Sequence, residues 1–145
     1  MRNEILRGWW NRLRGADARP DGGVWGETVA GKTLARKGYR ILGRRVRVGR
    51  RDELDLVARH ERVLVFVEVK TRKREDFGRP VEAVNRAKQR HLSRAAIRYL
   101  ARLRRKPEYF RFDVVEVIGA PGDAEPQVRH IENAFPLAPG YRITW

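Results

Sequence analysis

The chain contains no cysteine. That excludes disulfide scaffolds, thiol catalysis and Cys-ligated zinc or iron–sulfur centres, and it suits a reducing compartment. Long apolar runs are missing too: the longest, Val63 to Val67, falls far short of the roughly 20 residues that span a bilayer. The first residues lack the apolar stretch of a secretory signal, because Arg7 and Arg12 interrupt Ile5, Leu6, Trp9 and Trp10. The expectation is a cytoplasmic protein. Acidic residues are scarce: 18 Asp and Glu stand against 33 Lys and Arg, a net charge of +15 over 145 residues.

A chain of this length buries one sizeable core. Its basic surplus is mostly arginine, whose planar fork pairs with phosphate oxygens bidentately. The charge is also segregated. Arg36 to Arg51 holds eight basic residues and no acid, and Arg86 to Lys106 holds nine and again no acid. Such segregation makes an electrostatic footprint for a polyanion, with nucleic acid, DNA first, as the expected partner. On charge alone an anionic membrane surface would be attracted as well.

Residues 1–24 form a separate zone. Ile5, Leu6, Trp9, Trp10 and Leu13 recur at helical spacing and are followed by a Pro/Gly linker, so an amphipathic extension is expected. Packing on the main domain or on another subunit is the commoner fate of such a stripe than a lipid surface. From Gly26 a helix is predicted that stops at Gly38, then strands over 39–48, 53–58 and 63–71, a long helix over 81–105 ended by Pro107, and a strand over 110–118. From Ala120 the sequence reads as loop with a small apolar patch at Ile131 and Phe135. The order gives an α/β fold, a mixed sheet covered by helices.

Gly26-Glu-Thr-Val-Ala-Gly-Lys32-Thr33 matches the letters of a phosphate-binding P-loop. No buried strand can precede it, however, and its residues continue the helical face that ends near Lys37. The match is therefore read as coincidence. His60, His91 and His130 have no metal-ligand spacing.

A sharper signal lies in Asp55 and Glu68-Val69-Lys70. Asp55 falls on the second strand and Glu68 on the third, one hairpin later, so their carboxylates can reach one cation from adjacent strands. Strand periodicity sends Val63, Val65, Val67 and Val69 into the core and Phe66, Glu68 and Lys70 to the other face. Charges on so apolar a strand are costly unless something uses them. Asp55, Glu68, the Val69 carbonyl and waters would satisfy magnesium (or manganese), while Lys70 could orient the attacking water or neutralise charge on a phosphate. The competing reading is a strand end carrying ordinary surface pairs. On the long helix Arg86, Arg90, Arg94, Arg98 and Arg102 recur every fourth residue and suggest a phosphate track.

Seven blocks carry a family likeness: Gly26-Glu27; Gly38 to Leu42; Glu53 to Ala58; Val65 to Arg72; Phe77-Gly78-x-Pro80-x-Glu82-Ala83-Val84; Arg111 to Val115; and His130 to Phe135. In this order they resemble the YraN family of bacterial proteins, which is similar to the restriction-endonuclease-like PD-(D/E)xK superfamily and especially to archaeal Holliday junction resolvases. The resemblance implies an αβββαβ core, a magnesium site from Asp55 and Glu68, a catalytic Lys70 and a first-helix acid, Glu27, facing the site. Asp52 stands where members usually carry Gly, and Leu54 where the superfamily's namesake Pro would be. The implied organisation is an extension over 1–24, an endonuclease-like domain over 25–135 and a tail over 136–145. The implied activity is magnesium-dependent hydrolysis of phosphodiesters in DNA, branched DNA included. A nucleic-acid-binding module that keeps the fold without catalysis is the alternative, and homodimerisation is left open as it is usual for junction resolvases.

Overall fold

The computed structural model describes residues 22–73 and 84–144. In chain order the elements are α1 (Gly22–Arg36), β1 (Arg40–Val48), β2 (Asp52–His60), β3 (Val63–Arg72), α2 (Arg86–Arg102), β4 (Tyr109–Ile118) and β5 (Gln127–Phe135). This is a mixed α/β fold compatible with an endonuclease-like αβββαβ core. The extension expected over residues 1–24 lies outside the described residues up to Asp21, and so does the block from Phe77 to Ala83. Gly22 to Val24, assigned to the linker, instead open α1.

The strands form one sheet in the order β1-β2-β3-β4-β5. β3 and β4 run parallel, and every other neighbouring pair is antiparallel. Parallel neighbours cannot be joined by a hairpin, so α2 serves as the crossover between them. α1 covers one face, where Ala30 and Leu34 pack with Leu56, Val65, Val67 and Val115. α2 covers the other, where Leu92, Ala96 and Leu100 pack with Leu54, Phe66 and Phe112. Both sides of β3 are therefore core, which corrects the expectation of one buried face and explains why Val63 to Val67 is apolar without alternation. Glu68 is the first polar residue along that strand.

α2 starts at Arg86, later than periodicity suggested, because the Asn85 side chain accepts the Lys88 N–H at 2.8 Å and caps the helix. It ends at Arg102. There the Leu103 N–H donates to the Leu100 carbonyl at 3.2 Å, and the Lys106 ammonium donates to the carbonyls of Leu100 (2.7 Å), Ala101 (3.1 Å) and Leu103 (2.9 Å) at the helix end. In α1, Gly26 lets the helix lie close on β3, since a Cβ there would collide with the Thr71 hydroxyl.

β5 was not visible in the sequence. Its pairing with β4 shifts register between Phe112 and Val114, and Asn133 adopts a left-handed φ of 51°. The bulge puts Asn133 between Ile131 and Phe135 on the α2 side, while Val128 packs on the α1 side, so no face of β5 shows an unbroken apolar alternation. Beyond it, the Ala138 N–H donates to the buried Ser93 hydroxyl at 2.9 Å, which fastens the C-terminal segment to α2.

Candidate active site

The β2–β3 ladder ends at the pair Leu56↔Val67. β2 stays paired with β1 as far as Asp52, and β3 stays paired with β4 as far as Arg72. A fork therefore opens in the sheet one residue beyond that last pair, where Asp55 stands opposite Glu68. The Val69 N–H, which faces the fork, donates to Asp55 Oδ2 at 2.9 Å. β2 also turns over here: Leu56 packs on the α1 side, whereas Leu54, two residues away, packs on the α2 side. On β1, Arg45 breaks the extended conformation with a φ of 45°. The side-chain alternation that sequence reasoning relied on fails at this point.

Glu68 is 8% exposed. Its Oε1 lies 3.3 Å from the Lys88 ammonium of α2, and its Oε2 is buried with no hydrogen-bond partner among the described residues. Burial, and then the neighbouring Glu68 charge, push the Asp55 carboxyl up to about 7. A buried carboxylate oxygen with no donor among the described residues and two mutually repelling acids are both costly, and either a proton shared from Asp55 to Glu68 or a cation between them would relieve both. An all-oxygen donor set is what a hard divalent ion such as magnesium takes. The residues fit the group.

Lys70 lies two residues beyond Glu68 on β3, half-buried, and its ammonium has no partner among the described residues. Val69 meets the site through its N–H. Glu27 is buried near Asp55, close enough for the Asp55 charge to act on it, although burial is the main reason its pKa rises. Its Oε2 accepts from Arg45 Nε at 2.8 Å and from Arg44 Nε at 3.3 Å. The left-handed turn at Arg45 is what brings two consecutive arginines to one carboxylate. Among the described residues, no group of three or more His, Asp or Glu forms a ready metal cage.

The five arginines of α2 do not share a face. A four-residue step advances about 40° around a helix, so Arg86 to Arg102 wind through roughly 160°. Arg94 binds buried Asp52 bidentately, both contacts at 2.7 Å, and these bonds hold Asp52 below the usual carboxylate range. Asp52 thus has its own partner. Arg98 packs over the Gly49 turn, where a Cβ would collide with its guanidinium. Arg86, Arg90, Arg98 and Arg102 are exposed. Gly26 to Thr33 sit inside α1, with Thr33 Oγ1 donating to the Val29 carbonyl at 2.9 Å, so no phosphate loop exists there.

Sequence reasoning missed two buried acids on β4. Asp113, fully buried, accepts from Arg111 Nε (2.9 Å), the Asn133 N–H (2.9 Å) and His130 Nε2 (2.7 Å). Burial works to raise its pKa, but these donors outweigh it and lower the net value. Lys37 Nζ lies 2.6 Å from His130 Nδ1, which gives that histidine a place in a clasp joining α1, β4 and β5. Glu116, also fully buried, pairs with Arg72 at 2.8 Å and stands beside Lys70 in the parallel register. The available signal was an acid inside an apolar run, the same one that marked Glu68.

The model of the Uncharacterised protein family UPF0102 matches residues 26–117. A UPF0102 protein of Symbiobacterium thermophilum is 52% identical over 113 residues, covering 78% of this chain and 94% of its own length. Another, from Syntrophotalea carbinolica, is 50% identical over 115 residues, covering 78% and 89%. One from Geobacter sulfurreducens is 46% identical over 116 residues, covering 80% and 89%. With the family model spanning most of the folded core and relatives matched over nearly their whole length, the chain belongs to the UPF0102 (YraN) family.

Proposed function

We propose that this protein is a divalent-metal-dependent nuclease that hydrolyses phosphodiesters in DNA. One observation carries the reading: Asp55 and Glu68 meet where β2 and β3 part, and a buried Glu68 oxygen there has no donor among the described residues. Asp55 and Glu68 would hold the ion, magnesium or manganese. When bound, the ion supplies Lewis acidity toward a phosphate oxygen and lowers the pKa of water at the site. The Val69 N–H holds the Asp55 carboxylate in place. Lys88 offsets the charge of Glu68 while the ion is away. Lys70, two residues beyond Glu68, donates hydrogen bonds to the attacking water or to a phosphate oxygen as negative charge grows there. Glu27, tied to Arg44 and Arg45, acts on the site as a fixed charge rather than as a ligand.

A second reading, a DNA-binding module without hydrolysis, draws on the same ion pairs, because Lys88 and the two arginines already neutralise two of the three acids. Calorimetric titration with magnesium beside a cleavage time course on linear, branched and single-stranded DNA separates the two. Glu68→Gln is expected to abolish metal binding and cleavage together. Lys70→Ala is expected to keep metal binding and lower kcat by about 10²-fold or more. A parent protein that grips DNA, binds no divalent ion and cuts nothing would leave the binding module.

A further inference from the structure

The two acid-free basic segments of the sequence meet in space at the end of the sheet away from the acid pair. They border a cavity of about 840 Å³, formed by the start of β1, the β2–β3 hairpin and the chain after α2. Arg40 enters from the first segment, Arg104, Arg105 and Lys106 from the second, and Arg59 and Arg62 from the hairpin. Among the described lining residues one is acidic, Glu108, and it pairs with Arg62 at 3.4 Å. Lys106 is occupied with the α2 carbonyls and Arg59 Nε with the Glu61 carbonyl. The guanidinium groups of Arg40, Arg104 and Arg105 have no partner among the described residues. Beneath the charged rim lie Leu64, Tyr99 and Leu103, and Leu42 stands 44% exposed at its edge.

Three uncompensated guanidiniums around an apolar floor concentrate positive potential, because low-dielectric walls focus the field into the opening. Their planar forks suit tetrahedral oxyanions, and the floor offers contact to whatever the anion is attached to. Leu64 and Glu68 are four residues apart on β3, roughly 13 Å at about 3.3 Å per residue, so one anion cannot serve both places. We propose that this cavity is a second, separate anion site that takes a phosphate group borne on a nucleoside. The phosphate can come from a polynucleotide backbone or from a free mononucleotide, and the two sources are told apart by the probe.

The test is calorimetric binding in EDTA with a single-stranded DNA 12-mer, a 5′-mononucleotide and an acidic peptide. The proteins are the parent, Arg104→Gln/Arg105→Gln, and Lys32→Gln/Arg36→Gln, which removes the same charge from the exposed side of α1. All four substituted side chains are exposed, so equal Tm values verify the folds. The cavity variant is expected to bind the 12-mer or the mononucleotide about tenfold more weakly, with the single-strand salt slope reduced by roughly 1.4 units, while the control changes less than about twofold. Loss on the 12-mer alone identifies a backbone phosphate, and loss on the mononucleotide identifies a free one. Equal losses in both variants, no saturable binding of either nucleic-acid probe, or tighter binding of the acidic peptide would each overturn the assignment. Because the readout needs neither divalent ion nor cleavage, a chain that never cuts DNA still answers it.

Discussion

Asp55 holds a proton at pH values where free aspartate has lost it. Its folded pKa of about 7 lies above its ordinary value of about 4, so between these limits the native state binds more protons than the unfolded chain. The contribution of this group is therefore complete below about pH 4 and is lost as pH rises through 7. Asp52 and Asp113, both lowered, act the other way, and their stabilisation fades on the acid side, below about pH 4. In EDTA, Tm of the parent is expected to fall between pH 4.5 and 7.5, a loss on the order of a few kcal/mol. Asp55→Asn should make that limb shallower, leaving the part due to Glu27, whose pKa burial also raises, and millimolar magnesium should restore the parent at pH 7.5. A pH profile identical in Asp55→Asn would show that the carboxyl is not under this strain.

At the scale of elements, the ends of α2 matter more than its middle. Asn85 caps the helix one turn from Lys88, whose ammonium meets Glu68. Asn85→Ala is expected to cost about 1 kcal/mol in urea unfolding with an unchanged m-value. The same substitution should weaken the hold of Lys88 on Glu68, read as tighter magnesium binding in calorimetry. The effects, lower stability and tighter metal binding, should stay confined to this end of α2, because the cap touches no residue of the basic cavity.

Among the described residues, the acid pair lies at the fork of the sheet and the arginine-rimmed cavity at its far end. If duplex DNA follows the exposed arginines of α2, Arg90→Gln/Arg98→Gln should reduce the slope of log K against log salt by roughly 1.8 units, at about 0.9 per phosphate. Arg94 stands apart. Its guanidinium is committed to Asp52, so Arg94→Gln should lower Tm and leave the slope nearly unchanged. Salt titrations of DNA binding with these variants measure both outcomes.

The sequence alone determined four strands and two helices to within a few residues, because alternation, glycine stops and apolar runs are local signals. It marked Asp55, Glu68 and Lys70 because charge inside an apolar strand is conspicuous at any length scale. It could not reveal β5, whose apolar alternation is interrupted at Asn133, nor the turnover of β2 at Asp55. The pairing of Arg94 with Asp52 was equally hidden, since a regular four-residue spacing looks the same whether its members face solvent or a buried acid. The cavity formed by Arg40, Arg104 and Arg105 joins residues more than sixty positions apart in the chain. Contacts of that range depend on how strands register and on where the crossover helix lands, and only the tertiary structure fixes both.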